Sequence, residues 1–172
     1  MEIRTKRLRL KPVDMEYLQS THVYASDLEN TRLMMFLPSA SLQEIENTIR
    51  ESELEWAKAQ PERCEFVILR EEEHIGGITL YFLEDRSEGE LGWVLRKDCW
   101  GRGYTTEAAA AMLDYARDRW GMRRVIAMCD SENAASYRVM EKLGMRFVCR
   151  TGGRKNRSME GERQELTYEI FL

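Results

Sequence analysis

The feature that most constrains the fold is an abrupt change of hydrophobic period on either side of Gly101 and Gly103. Before these glycines, residues 90–96 alternate between two faces, which is the pattern of a strand with one face buried. After them, residues 104–120 repeat apolar side chains at helical spacing and are rich in alanine, a strong helix former. The chain therefore passes from a strand to a helix through a glycine turn.

The rest of the chain divides into segments of the same two kinds. Strands are predicted near residues 3–10, in a hairpin of residues 65–69 and 75–82, and at residues 124–129, 147–149 and 166–172. Helices are predicted over residues 14–26, 41–59 and 133–143, with a polar loop at residues 151–161. Ser41 and Glu44 have capping-box spacing, and Gly144 suits a left-handed helix end. This order predicts a mixed α/β (α+β) domain, in which helices cover one layer of sheet.

Length and composition describe an ordinary globular protein. The 172 residues suit one domain covering 1–172, and 43% of them are hydrophobic and 33% charged. A formal charge of -4 argues mildly against a nucleic-acid partner, whose affinity would come from phosphate neutralisation. No apolar run has transmembrane length, and the charged start lacks the apolar stretch of a secretory signal. We therefore expect a cytoplasmic protein with no membrane partner.

Metal and redox chemistry are not indicated. The four cysteines never form a Cys-x-x-Cys pair, which argues against a zinc ribbon or a redox dithiol. His22 and His74 lack a second ligand at helical or hairpin spacing, and both are expected to be polar surface residues. We predict no metal site.

The glycine turn is a candidate anion site. Unpaired backbone N–H groups and the positive end of the following helix would point at one spot, and Thr105 and Thr106 would add hydroxyl donors. The nucleoside-triphosphate loop fails as a template because Tyr104 stands where a lysine is required. The dinucleotide fingerprint fails because its third glycine is replaced by Thr106. A turn that merely starts a helix remains the structural alternative.

A second motif follows the first, and together they indicate a family. The run of residues 100–108, Trp-Gly-Arg-Gly-Tyr-Thr-Thr-Glu-Ala, is followed by Asn133-Ala134-Ala135-Ser136 and by residues 141–145. This combination resembles the GNAT superfamily of N-acetyltransferases, most closely its ribosomal-protein N-terminal (alanine/serine) acetyltransferase branch. The opening residues 5–10 are similar to that branch's first strand. The resemblance implies a mainly antiparallel central sheet with helices on both faces, and a splayed strand pair that holds coenzyme A.

The resemblance also implies which residues bind acetyl-CoA, the expected co-substrate. A backbone N–H at the end of the central strand would polarise the thioester carbonyl. The implied coenzyme-binding residues are Val94, Leu95, Arg96, Trp100, Gly101, Arg102, Gly103, Tyr104, Thr105, Thr106, Asn133 and Ser136. Arg102, Lys97 and Arg138 are candidates for the phosphates, with solvated surface charge as the alternative. Asp98 replaces a frequent Gln or Arg of the family, and Glu107 is expected to face away from the diphosphate.

Three residues and one alternate are candidates for proton transfer to and from an amine acceptor. Glu90 opens the strand that leads to the thioester and would accept the proton of the amine, with Glu88 as an alternate. Many family members place a tyrosine seven residues after the asparagine, where this chain has Met140. Ser136 lies on the same helical face and would replace that tyrosine as proton donor, with Tyr137 ranked second. Asn133 is equally suited to a pure capping role.

The sequence does not identify the amine acceptor. Trp56, Phe36 and Tyr81 would line its site or belong to the core, and residues 151–161 would shape the entrance or form a solvated loop. The resemblance implies transfer of an acetyl group to a primary amine, on a small molecule or on a protein N-terminus. The alternative is a catalytically inactive acyl-CoA sensor of the same fold, which Met140 keeps open. A homodimer through exposed strand edges is also compatible with the pattern.

Overall fold

A computed structural model describes residues 1–172 as an eight-stranded sheet with five α-helices. The strands are β1 (Ile3–Arg4), β2 (Leu8–Pro12), β3 (Arg63–Arg70), β4 (Glu73–Phe82), β5 (Glu88–Leu95), β6 (Arg124–Asp130), β7 (Arg146–Arg154) and β8 (Arg163–Phe171). The helices are α1 (Leu18–Ala25), α2 (Leu28–Thr31), α3 (Leu42–Trp56), α4 (Tyr104–Trp120) and α5 (Ala134–Lys142). Two 3₁₀ turns, Met15–Tyr17 and Lys97–Cys99, precede α1 and the glycine turn. No helix combines the length and apolar character that crossing a membrane requires.

The sheet is mostly antiparallel, as the family resemblance implies. Its strand order is β1-β2-β3-β4-β5-β6-β8-β7, and only the β5–β6 pair is parallel. Helix α4 makes the crossover that a parallel pair requires, because it starts at the end of β5 and returns the chain to the beginning of β6. The glycine turn therefore lies where β5 ends and α4 begins.

The parallel pair separates after three residues. β5 and β6 are paired only from Glu88 opposite Arg124 to Glu90 opposite Ile126. Beyond that point β5 stays paired with β4 as far as Leu95, and β6 stays paired with β8 as far as Asp130. The two strands consequently diverge and leave an opening between them, which we call the splay. The splay was implied by the family resemblance and is present.

The two faces of the sheet carry separate cores. Phe66 and Ile68 belong to the larger core, which contains the alanines of α4, whereas the intervening Val67 packs with Ile45 and Ile49 of α3. Because neighbouring residues of a strand point to opposite faces, helices cover both sides of the sheet. Val94 packs on the α1 and α3 side and Leu95 on the α4 side, so the end of β5 is held from both faces.

Several helix, strand and loop boundaries differ between the sequence prediction and the structure. The loop predicted at residues 151–161 is shorter, because residues 151–154 continue β7. The hairpin turn is confined to residues 71 and 72, and helix α2 was not predicted. Ser41 Oγ accepts a hydrogen bond from the Glu44 N–H at 3.2 Å, as in a capping box. The carboxylate of Glu44, however, accepts from the N–H of Ala40 rather than from that of Ser41.

Candidate active site

The glycine turn presents a row of free backbone donors. Gly101 and Gly103 have φ values of 73° and 78°, a left-handed conformation that side chains disfavour. None of the six backbone N–H groups from residue 101 to residue 106 donates to an acceptor within the protein; the first helical bond runs from the Glu107 N–H to the Gly103 carbonyl. These groups lie at the N-terminus of α4, so the turn is suited to binding an anion.

The cations near the turn fall into two groups. Lys97 is paired with Asp27 and Glu29 of the α2 region, and Arg96 is paired with Glu73 and Asp98. The hydrogen bond from Arg96 lowers the pKa of Asp98 to about 2.

Arg102 and Arg138, in contrast, are exposed and form no ion pair. Of the basic candidates, these two have guanidinium groups free to meet phosphate oxygens. The hydroxyls of Thr105 and Thr106 are half-buried, and neither makes a hydrogen bond to the protein.

The backbone of β5 supplies donors to the splay. The Arg96 N–H donates to the carbonyl of Ile75 on β4 at 2.8 Å. Because donors alternate between the two sides of a strand, the Val94 N–H also points to β4, and those of Trp93 and Leu95 point into the splay. Among the expected strand-end residues, only Leu95 therefore has its N–H in the opening. Trp93 was not anticipated, because the alternation alone does not say which side faces β4.

The backbone of β6 lines the other side of the splay. The Ser131 N–H donates to the carbonyl of Gln164 at 2.9 Å, which continues the ladder with β8. By the same alternation, the N–H of Met128 points away from β8 and into the splay. Met128 and Trp93 thus offer main-chain donors from opposite walls, and no strand lies between them.

Gly76 allows β4 to approach the end of β5 closely. A Cβ atom placed on Gly76 would lie 2.3 Å from the carbonyl oxygen of Val94 and 2.9 Å from the Cα of Leu95. Both distances are shorter than real Cβ contacts, and both neighbours are backbone atoms that cannot rotate away. The close approach of β4 to the end of β5 therefore requires a glycine at this site.

Helix α5 brings its first turn to the same region. The side chain of Asn133 accepts a hydrogen bond from the Ser136 N–H at 3.1 Å, so its capping role is observed. The hydroxyls of Ser136 and Tyr137 are half-buried and make no hydrogen bond to the protein. Met140 is 1% exposed and packs with Ala127 in a core cluster. Met140 therefore has a packing role, and Ser136 and Tyr137 hold the free hydroxyls of this helix.

The two carboxylates at the start of β5 differ in their environment. Glu88 accepts a hydrogen bond from Arg124 at 2.6 Å and is engaged in an ion pair. Glu90 makes no hydrogen bond or ion pair and is half-buried. Burial, and secondarily the negative charge of Glu165, raises the pKa of Glu90, and Arg154 opposes the rise. Of the two, only Glu90 is a carboxylate free to accept a proton.

Glu90 and the glycine turn approach the splay from different sides. Glu90 lies opposite Tyr81 on β4 and shares its face with Val94, which packs toward α1 and α3. Helix α4 covers the other face. An anion held at the turn and a group next to Glu90 would therefore meet across the sheet, at the splay.

The aromatic candidates for the acceptor side separate into core and surface. The indole of Trp56 stacks edge-on against Phe66 and donates to the Glu65 carbonyl at 3.1 Å, so it is a packing residue. Phe36 is 77% exposed and Tyr81 38% exposed, so both are available to a partner.

The loop after β7 is bound to the α2–α3 connection rather than free in solvent. Arg154 is almost fully buried and donates to Glu165 at 2.6 Å and to the Leu33 carbonyl at 3.3 Å. Arg157 donates to the Phe36 carbonyl and binds Glu44. Arg154 is therefore buried, contrary to a solvated loop, whereas Arg157 is exposed and is held at the surface by its ion pair with Glu44. The loop and the α2–α3 connection form one wall on the Glu90 side of the splay.

His74 is not the surface residue that its polarity predicts. It is 7% exposed, its Nε2 lies 2.9 Å from the Gly76 carbonyl, and its Nδ1 lies 2.7 Å from Ser20 Oγ. The carbonyl requires a proton on Nε2, so the neutral ring accepts the Ser20 hydroxyl at Nδ1. Burial lowers the pKa of His74 to about 4. The structure groups no three His, Cys, Asp or Glu side chains that would suit a metal ion.

The chain is similar in sequence and in fold to known proteins. Residues 7–146 match the family described as the acetyltransferase (GNAT) domain. The chain is 34% identical over 149 residues to the uncharacterised N-acetyltransferase YnaD of Bacillus subtilis, covering 85% of this chain and 83% of YnaD.

Solved structures have the same fold. A GNAT-family acetyltransferase from Bacillus anthracis superposes with a TM-score of 0.82 at 26% identity, covering 99% of this chain and 98% of that one. RimL, a ribosomal alpha-N-protein acetyltransferase solved in complex with coenzyme A, superposes with a TM-score of 0.87 at 16% identity, covering 100% and 98%. The family match spans most of the chain, so this protein belongs to the GNAT acetyltransferase family.

Proposed function

We propose that this protein transfers an acetyl group from acetyl-CoA to a primary amine, by direct attack of the amine on the thioester. The observation that carries the proposal is the continuity between the splay and the glycine turn. The turn offers six free N–H groups at the end of β5, and the splay begins on the same strand. Support comes from the family match and from the RimL structure, which was solved in complex with coenzyme A.

The coenzyme would bind as an extended co-substrate. Its diphosphate would accept hydrogen bonds from the turn at residues 101–106, with Arg102 and Arg138 as neighbouring cations. Its pantetheine arm would enter the splay and pair with the free main-chain groups of β5. The thioester carbonyl would accept a hydrogen bond from the N–H of Trp93 or Leu95. The same donor would stabilise the oxyanion of a tetrahedral intermediate.

Proton transfer would involve the carboxylate and the hydroxyls that have no partner in the protein. The amine must be uncharged to attack, and Glu90 would take its proton directly or through one water molecule. The raised pKa of Glu90 makes it a better base than an exposed carboxylate. Ser136 would donate a hydrogen bond to the leaving sulfur and relay a solvent proton to it, with Tyr137 as the second choice. Holding both reactants in the splay would supply much of the remaining rate enhancement.

The acceptor would enter on the side of the sheet that carries Glu90. Tyr81 lies beside Glu90 in the register, and the α2–α3 connection with exposed Phe36 forms the wall. This side is opposite to α4, so acceptor and coenzyme would not compete for space. Small-molecule amines and protein N-termini both satisfy the proposed chemistry.

The test is a thiol-release assay with acetyl-CoA and a panel of amines, with each product identified by mass spectrometry. The panel should include polyamines, amino acids, aminoglycosides and peptides with free N-termini. Acetylated product together with one equivalent of free thiol supports the proposal. Tight binding of acetyl-CoA without thiol release for any acceptor would instead favour the acyl-CoA sensor. Absence of coenzyme A binding in calorimetry would contradict both.

A further inference from the structure

The short turn between β1 and β2 is built around a threonine. The Thr5 N–H donates to the Leu8 carbonyl at 2.9 Å, and the Leu8 N–H donates to Thr5 Oγ1 at 2.9 Å. These two bonds close the turn over residues 5–8 and fix the direction of Arg7. The turn belongs to the motif that resembles the family's first strand, to which the proposed chemistry assigns no role.

Arg7 makes four contacts with the glycine turn and the start of α4. Its N–H donates to Glu107 Oε1 at 2.8 Å, and its Nε donates to Glu107 Oε2 at 2.6 Å. Its Nη1 donates to the backbone carbonyl of Arg102 at 3.0 Å, and its guanidinium lies 4.6 Å from the centre of the Tyr104 ring. A residue at the N-terminus of the chain therefore touches both the glycine turn and the first turn of its helix.

The bond to the Arg102 carbonyl orients one donor of the turn. In a trans peptide, the carbonyl of one residue and the N–H of the next point in opposite directions. By holding the Arg102 carbonyl, Arg7 directs the Gly103 N–H away from itself. That N–H is one of the six that donate to no protein acceptor. Gly103 has no Cβ, and φ there is 78°, so local side-chain sterics do little to fix this peptide plane.

The contacts to Glu107 remove an unfavourable charge. A carboxylate in the first turn of α4 would repel an anion bound at the same helix end. Glu107 instead accepts from Arg7 and, at 2.6 Å, from Thr5 Oγ1. Partial burial raises the pKa of Glu107, but these hydrogen bonds outweigh it and the net pKa is lowered. The carboxylate is thus ionised, paired and turned toward the β1–β2 turn.

We infer that Arg7 is a positioning residue for the diphosphate-binding turn. It acts by fixing the peptide between Arg102 and Gly103 and by neutralising Glu107. This inference rests on the proposed binding of coenzyme A at the turn, and it adds a residue that lies 95 positions away from Arg102 in the sequence.

The test compares Arg7→Met with Arg4→Met in the full chain. Arg4 is a matched control, because it is three residues away, is largely exposed and pairs only with Glu2. Calorimetric titration with coenzyme A should show a Kd raised about tenfold in Arg7→Met, because the Gly103 N–H is no longer held in direction and the charge of Glu107 is no longer paired. Arg4→Met should stay within about twofold, as expected for an exposed pair.

A second readout separates positioning from general damage. S-acetylpantetheine carries the thioester but no diphosphate, so its rate of thiol release should be the same in Arg7→Met and wild type. An equal loss with both thioesters would mean that the variant is damaged elsewhere, which overturns the inference. Arg7→Lys keeps a charge near Glu107 but lacks the fork that reaches the Arg102 carbonyl. It should give an intermediate Kd, and it serves as the test if Arg7→Met does not fold.

The double variant Arg7→Met/Glu107→Gln isolates the charge effect. Removing the unpaired carboxylate should restore part of the affinity for coenzyme A, and a double variant no better than Arg7→Met overturns that half of the inference. If wild-type protein does not bind coenzyme A at all, the proposed function fails. If wild type binds and Arg7→Met binds equally well, only the role of Arg7 fails.

Discussion

The indole Nε1 of Trp100 donates a hydrogen bond to the backbone carbonyl of Leu95 at 2.7 Å. This bond joins the last residue of β5, whose N–H faces the splay, to the residue that precedes the glycine turn. The proposed thioester site and the proposed diphosphate site are therefore tied together by one side chain. Because Trp100 is 46% exposed, its main contribution is this bond rather than burial.

Replacing Trp100 by Phe should weaken acetyl-CoA binding with a small effect on stability. The ring is kept, but the tie to Leu95 is lost, and a net hydrogen bond contributes about 0.5–1.5 kcal/mol. We expect KM for acetyl-CoA to rise about 2- to 10-fold in steady-state kinetics. Trp120→Phe is the matched control, because the Trp120 indole N–H has no hydrogen-bond partner. An unchanged KM in Trp100→Phe would show that the hydrogen bond between Trp100 and Leu95 is not needed for acetyl-CoA binding.

Replacing Gly76 by Ala should destabilise the protein and lower activity. The new Cβ would overlap the backbone of Val94 and Leu95, and overpacking of this kind costs about 1–3 kcal/mol. Gly77→Ala is the control on the same strand, because its Cβ would meet nothing closer than 3.5 Å. Urea unfolding of both variants measures the difference. Equal stability of the two would mean that β5 can move without cost.

Helix α4 was predictable because local preferences set both of its ends. It begins after Gly103 and is capped by Gly121, which have φ values of 78° and 65°. Only glycine adopts such conformations without strain, so the neighbouring sequence is sufficient to place them. The four-residue helix α2 was not predictable in this way, because a single turn shows no hydrophobic period. Its start is held by Asp27, which accepts from the Glu29 and Asn30 N–H groups.

Part of the candidate site was predictable for the same reason, and part was not. The glycine turn was predictable because the residue types at Gly101 and Gly103 indicate a turn by themselves. The identity of Trp93 and Met128 as splay-facing residues depends on which strands flank β5 and β6, and that pairing joins residues far apart in the chain. The burial of Arg154 likewise depends on Glu165 and on the Leu33 carbonyl. Tertiary contacts of this kind leave no mark in a single sequence.

Stability should fall as pH falls through the region where His74 titrates. Its pKa is about 4 in the folded protein, below the ordinary 6.5, so the unfolded state binds more protons between these values. The stabilisation is complete above about pH 6.5 and is lost progressively toward about pH 4, by at most about 3 kcal/mol. Urea unfolding across this range should show the loss in wild type and a smaller one in His74→Gln. Equal slopes in wild type and His74→Gln would contradict the assignment.

Replacing Glu90 by Gln should remove most of the acetyl transfer while leaving coenzyme A binding intact. A general base contributes about 10²- to 10⁴-fold, so kcat should fall within that range. Glu90 must be ionised to accept the proton of the amine, so wild-type kcat/KM should rise with pH through a pKa above the ordinary carboxyl range. This rise of kcat/KM with pH should disappear in Glu90→Gln. Glu88→Gln is the matched control, since the ion pair with Arg124 already occupies its carboxylate. If Glu90→Gln keeps the wild-type kcat and the same rise of kcat/KM with pH, then water or another group is the base.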